Sequence, residues 1–178
     1  KTNGFFVEFG AGDGSFHSNT KFFETQLCWT GLCIEPSRHI FNRLVKNRPK
    51  CIAVHGSLCE EAGIEREFTD ILSPTGWTGW SGFSETFTEQ HKQQIQNKIH
   101  NSNWKTETYK VNCHTLESLM KDYGFKYTTN SEINYLSIDT EGSERIIIDN
   151  IAFLFQLIFL FILFLFFYFI FLFYCATY

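Results

Sequence analysis

An α/β fold with an open parallel sheet is what three features of this 178-residue sequence predict. Strand-like and helix-like runs alternate from Phe5 to His55, a glycine-rich turn joins the first strand to the first helix, and acids close three of the strand-like runs. Parallel neighbours need right-handed crossovers, and that alternation supplies them.

The elements follow in order. Phe5 to Phe9 (FFVEF) is a short β-rich run that stops at glycines, a strand signal. Gly10 to Ser18 is the turn, and Asn19 to Leu27 predicts a helix with Phe22, Phe23 and Leu27 on one face and Ser18 or Asn19 as cap. Leu32 to Glu35 is a second buried strand, halted by Pro36. Ser37 to Lys46 predicts a helix with an apolar stripe at Ile40, Phe41, Leu44 and Val45, closed by Pro49. Cys51 to His55 is a third strand. Glu67 to Leu72 predicts a further strand, Ser73 to Ser84 a Gly- and Trp-rich loop, and Glu85 to His100 a polar helix or lid. Thr108 to Asn112 is strand-like, Thr115 to Tyr123 helical with Leu116, Leu119 and Met120 inward, and Asn134 to Ile138 a fourth core strand ending at Asp139. A helix is predicted to open after Glu141-Gly142-Ser143-Glu144.

Composition narrows the function classes. Fifteen basic and 19 acidic residues give a net charge of −4 with no Lys/Arg cluster, so no nucleic-acid partner is predicted. Six cysteines lack C-x-x-C and Cys/His ligand spacing, which predicts no metal site and no small disulfide scaffold. Cys33 and Cys51 lie in apolar runs and read as small buried residues. The sequence opens at Lys1 with no charged-then-apolar leader and contains no N-x-[ST] sequon.

The chemistry concentrates at Glu8-Phe9-Gly10-Ala11-Gly12-Asp13-Gly14, between strand and helix. Glycines at alternate positions let the backbone turn sharply and approach a ligand. The dinucleotide fingerprint requires glycine at its sixth position, where Ser15 stands, so that motif fails. An acid two residues before the first glycine suits S-adenosylmethionine better, because this ligand has no pyrophosphate and carries an ammonium group. Glu35, 21 residues after Gly14, is placed at a strand end where an acid accepts both ribose hydroxyls. Asp139 is a third strand-end acid, and Ser57, after His55-Gly56, falls where an adenine would lie. For each, an ordinary turn or solvated acid is the competing reading.

At these residues the chain resembles a known family. Phe5 to Pro36 (FFVEFGAGDGSFHSNTKFFETQLCWTGLCIEP), Val111 to Leu119 (VNCHTLESL) and Asn134 to Glu144 (NYLSIDTEGSE) resemble, in order, signatures of FkbM-type methyltransferases. The likeness runs from about Gly4 to Ile151, patchily through 60–105, with a flavour of animal, Star-like relatives. It implies a class I methyltransferase sheet over residues 1–150, S-adenosylmethionine as cofactor, and methyl transfer, expected at oxygen, to a small-molecule or glycan-like acceptor. Glu8, Gly10, Gly12, Gly14, Glu35, Ser57 and Asp139 would then contact the cofactor, Asp13 and Asn19 would shape the loop, and Glu141 and Glu144 would lie toward the acceptor. No catalytic base is assigned; His17, His55 and His114 are candidates only by their proton affinity. The alternative is a non-catalytic Star-like membrane or trafficking protein that retains the fold.

The final segment is of another kind. No charge follows Asp149, 10 of the 21 Phe lie in it, and only Gln156 interrupts the 24-residue apolar run from Ile151 to Tyr174. As a helix at about 1.5 Å per residue this run would span about 36 Å, enough to cross a bilayer. Two readings stay open: a membrane-spanning helix at 151–174 giving a single-pass membrane protein, or a low-complexity tail of the kind that thymine-rich DNA encodes. Either way, the expected sheet is truncated, lacking its final strands.

Overall fold

The computed structural model describes residues 2–16, 18–124 and 132–140. Its centre is a four-stranded parallel sheet of β1 (Phe5–Phe9), β2 (Thr30–Glu35), β3 (Ile52–His55) and β9 (Tyr135–Ile138), in the order β3-β2-β1-β9. Helices α1 (Lys21–Leu27) and α2 (Arg38–Asn47) make the first two crossovers. All five residues of β1 are buried, as a strand covered on both faces requires. Phe5, Val7 and Phe9 join Leu32, Ile34, Leu116 and Leu119 on one side; Phe6 joins Trp29, Cys33 and Leu44 on the other.

The chain leaves this sheet after β3 and enters a second one within a residue. β4 (Ser57–Leu58) pairs in parallel with β8 (Lys105–His114), which runs antiparallel to β5 (Glu65–Ser73). The short strands β6 (Gly76–Trp77) and β7 (Gly82–Phe83) fold back on β5, α3 (Glu89–Ser102) follows, and α4 (Leu116–Leu119) leads through a π-turn toward β9. The Ser73–Ser84 segment, expected as loop, thus carries two strands. Its hydroxyls hold it in place: Thr78 Oγ1 donates to the Ile71 carbonyl and Ser81 Oγ accepts the Ile71 N–H. Trp80 anchors it further, lying edge-on to His91 of α3 and to Trp104.

Both helical stripes differ from expectation by one position. On α1 the inward residues are Phe23, Glu24 and Leu27, while Phe22 is 60% exposed. The α1 N-cap is Thr20, and Ser18 Oγ accepts the Lys21 N–H from just upstream. On α2 the stripe is Ile40, Phe41 and Leu44, continuing to buried Arg48 rather than to half-exposed Val45. Period-3.6 patterns place phenylalanine and valine inward by default, whereas here a buried ion cluster claims the inward position.

The expected α/β sheet is present, but the membrane-spanning helix is corrected. Among the described residues no helix is long and apolar enough to cross a membrane. The longest, α3, has 14 residues, about 21 Å at about 1.5 Å per residue against a hydrocarbon core of about 30 Å. The segment 151–174, on which membrane attachment and single-pass placement were expected, lies outside the described residues, and no described helix supports either expectation.

The cysteine expectation also changes. Cys33 and Cys51 are buried, but they are joined to each other, and Cys59 is joined to Cys113. Spacings of 18 and 54 residues form no local pattern, so only the folded chain pairs them. The Cys59–Cys113 bond fastens the residue after β4 to β8, holding the second sheet together at its junction with the first. Replacing Cys113 by serine is expected to lower stability by roughly 2–4 kcal/mol, read as a shifted denaturant midpoint under non-reducing conditions. An unchanged midpoint would mean that the link contributes nothing.

Candidate functional site

Aligned register creates the site. Phe9 pairs with Ile34 on one side and Ile138 on the other, so the carboxyl ends of β1, β2 and β9 finish level. The strand order reverses at β1, and in open parallel sheets the crevice beside such a reversal takes the ligand. Gly10, Glu35 and Asp139 emerge there together. They line a cleft that is open to solvent at its mouth. The second sheet supplies the opposite wall: Ser57 and Leu58 from β4, Phe68 from β5, and Thr78 to Phe83 across the top.

The glycine loop is shaped by contacts that exclude larger residues. Gly10 sits at φ +72°, and a Cβ there would lie 1.9 Å from the Asp139 carbonyl oxygen. Gly12 also has positive φ, yet a Cβ there would meet nothing within 4 Å, so its backbone borders open space. Asp13 bends the loop by accepting the N–H groups of Ser15 and Phe16 at 2.9 and 2.8 Å. Asn19 ties it to β9 through Ser137 Oγ at 3.0 Å.

Glu8 is brought to the base of this loop but does not line the cleft. Its carboxylate accepts the Asn19 N–H at 2.7 Å and the Thr20 hydroxyl at 2.6 Å, with Ser18 Oγ also in reach. Arg48 lies 3.6 Å from it, donates to Glu24 at 2.6 Å and to Ser18 Oγ at 2.8 Å, and is 1% exposed. The Arg48 side chain also fills the space beside Gly14, at φ +71°. Glu8 and Gly14 therefore brace the loop, while Gly10, Glu35, Ser57 and Asp139 line the cleft, and Gly12 borders open space without lining it.

Glu35 carries the distinctive electrostatics. It is 6% exposed, and its two oxygens accept the N–H groups of Gly12 at 2.8 Å and Ser37 at 2.9 Å. Burial raises its pKa to about 7 against the pull of those two N–H donors, and the charge of Asp70 adds to the rise. A carboxylate has about four acceptor positions, so two backbone donors leave room for ligand hydroxyls.

Of the histidines singled out, His55 contacts the Pro36 carbonyl at 3.0 Å and packs on Phe41. His114 abuts Gly56, and burial lowers its pKa. Neither is among the described residues lining the cleft. His17, Glu141 and Glu144 lie outside the described residues. Among the described residues no group of three or more His, Cys, Asp or Glu is gathered to hold a metal ion. Sequence patterns missed Arg48, Asp70, Tyr109, Phe68 and Phe83. For Arg48 a signal existed, since it stands four residues after Leu44 on the same stripe; for Asp70 the hint was an acid inside the apolar run FTDIL.

A family model described as the methyltransferase FkbM domain matches residues 8–168. The match extends past Ile151 and carries no mark of truncation or of Star-like origin. No curated protein and no solved structure matches the chain.

Arg48→Ala would leave two buried carboxylates without their cation. It is expected to cost about 3–5 kcal/mol, measured by denaturant unfolding, and to loosen the Gly12–Ser15 turn in amide exchange. A loss under about 1 kcal/mol would put Arg48 among surface ion pairs instead.

Proposed function

The chain belongs to the FkbM family of S-adenosylmethionine-dependent methyltransferases, and from that premise we propose that it binds S-adenosylmethionine in the cleft and transfers the methyl group to an oxygen of a small-molecule or glycan-like acceptor. The observation that carries this reading is the convergence of Gly10, Glu35 and Asp139 on one cleft at the sheet's reversal point.

The residues fit such a cofactor. Glu35 offers free acceptor capacity to a ribose diol beside its two backbone donors. Leu58, Phe68 and Phe83 give an apolar wall for a planar base, with Ser57 as a polar edge. Gly12 lets the ligand come against bare backbone, and Asp139 supplies an acid for an ammonium group. S-adenosylmethionine, when bound, supplies an electrophilic methyl group on a cationic sulfonium. The chain's part is then to orient the cofactor, narrow the space above it with the Thr78–Phe83 segment, and hold the acceptor oxygen in line.

Calorimetric titration of the whole chain with S-adenosylhomocysteine tests the reading. Binding is expected in the wild type and a loss of at least tenfold in Glu35→Ala; a folded wild type that binds neither this compound nor S-adenosylmethionine refutes it. Affinity is expected to weaken as pH falls through about 7, the Glu35 value, because a protonated carboxyl no longer accepts at both oxygens. The same titrations between pH 5.5 and 8.5 check this, and a flat profile would count against Glu35 as the ribose acid.

A further inference from the structure

We propose that Asp70 and Tyr109, both carried by the inserted sheet, are positioning residues for Glu35, so that the seating of this sheet sets how tightly, and over which pH range, the cofactor is held. The inference rests on the reading of Glu35 as the ribose acid.

The physical link is continuous. Glu35 accepts the Ser37 N–H, and the next N–H of the chain, that of Arg38, donates to Tyr109 Oη at 2.8 Å. Tyr109 in turn donates to Asp70 Oδ2 at 2.5 Å. These contacts join residues 71 and 39 positions apart, and they cross from the start of α2 to β8 and then to β5. Ser37 Oγ caps the same helix by accepting the Ile40 N–H. The segment that carries the Glu35 carboxylate is thus fixed from the inserted sheet and not only by its own helix.

Asp70 is an unusual residue to spend on a purely structural contact. It is fully buried, and its Oδ1 has no hydrogen-bond partner among the described residues. A buried carboxylate with an unpaired oxygen is costly, and Tyr109 would be equally well satisfied by an uncharged acceptor. What the charge adds is its effect on Glu35, whose proton it helps to retain. Burial, and after it the Asp70 hydrogen bond, raise the proton affinity of the Tyr109 hydroxyl, which stays a donor throughout the accessible pH range.

The other charged groups near Glu35 are engaged elsewhere. The Arg38 guanidinium lies 4.0 Å over the Tyr109 ring, and His39 contacts Glu107 of β8 at 2.8 Å. His55, paired with Glu35 in register, faces the Pro36 carbonyl, and Asp13 is taken up by its own loop. Asp139 shares the cleft from the β9 end. Asp70 is the charge that acts on Glu35 among these groups.

The test uses the whole chain as wild type, Asp70→Asn and Tyr109→Phe, each checked for wild-type circular dichroism. Two quantities are read: the ionisation midpoint of the Glu35 side-chain carboxyl by carbon NMR without ligand, and S-adenosylhomocysteine affinity by calorimetry from pH 5.5 to 8.5. Asp70→Asn keeps an acceptor for Tyr109 but removes the charge. It is expected to move both the Glu35 midpoint and the binding midpoint to lower pH, since the Asp70 charge adds to the rise that burial causes. Tyr109→Phe cuts the link and is expected to weaken binding at least fivefold at pH 8.5, where Glu35 is ionised in all three proteins. If one variant fails to fold, the other still carries its own arm. A wild type that binds with Glu35 midpoint and affinity unmoved in the folded variants overturns this inference alone. A wild type that does not bind overturns the cofactor reading and this inference with it.

Discussion

Arg48 and the two carboxylates it holds are the constraint on which the rest of the site depends. Three charged groups at 5% exposure or less sit between β1, α1 and α2, and their mutual contacts replace the water they give up. Such a cluster adds little net stability compared with an apolar core of the same shape, but removing one member is expensive. Its effect here is geometric. Arg48 reaches Ser18 and Thr20 at the entry to α1 and leans on Gly14, so the glycine loop has one shape before any ligand arrives. The one-position shift of both helical stripes follows from the same cause, since Glu24 and Arg48 take inward positions that apolar periodicity would assign to other residues.

The inserted sheet turns an edge of the parallel sheet into a cleft. The level ends of β1, β2 and β9 alone would make an open shelf. Phe68, Phe83 and the Thr78–Gly82 backbone close one side of it. That wall is held from behind by a hydroxyl ladder of Thr69 with Ser84 and Thr108, by Trp80 against α3, and by the Cys59–Cys113 bond. A buried apolar cluster of Phe68, Phe83, Tyr109 and Val111 with the Cys59–Cys113 pair completes it.

Much of the parallel sheet was legible in the sequence because its signals are local. The β1 and β2 runs are apolar and end in glycine or proline, and alternate glycines after a strand have few structural uses. Glu35, Gly10 and Asp139 could be singled out for the same reason: each stands at or just after a strand end, and strand ends are readable. Asp70 and Tyr109 were not legible, since nothing near FTDIL or ETYKV states that the two strands pair or that their shared face meets the start of α2. Glu8 was legible as important but not in its role. Its neighbours Ser18, Thr20 and Arg48 come from 10 to 40 positions away, and they turn an acid of ligand-contact type into a brace.

The sequence by itself determined the α/β class, the order of the first crossovers, the glycine turn and the acids at the strand ends. These depend on hydrophobic period and on backbone freedom, which are properties of a few consecutive residues. The tertiary structure alone decided which cysteines pair, which helix faces turn inward, which acid is a brace and which faces the cleft, and how strongly Glu35 keeps its proton. Those outcomes depend on desolvation and on charges brought together from distant parts of the chain, and neither exists until the chain has folded.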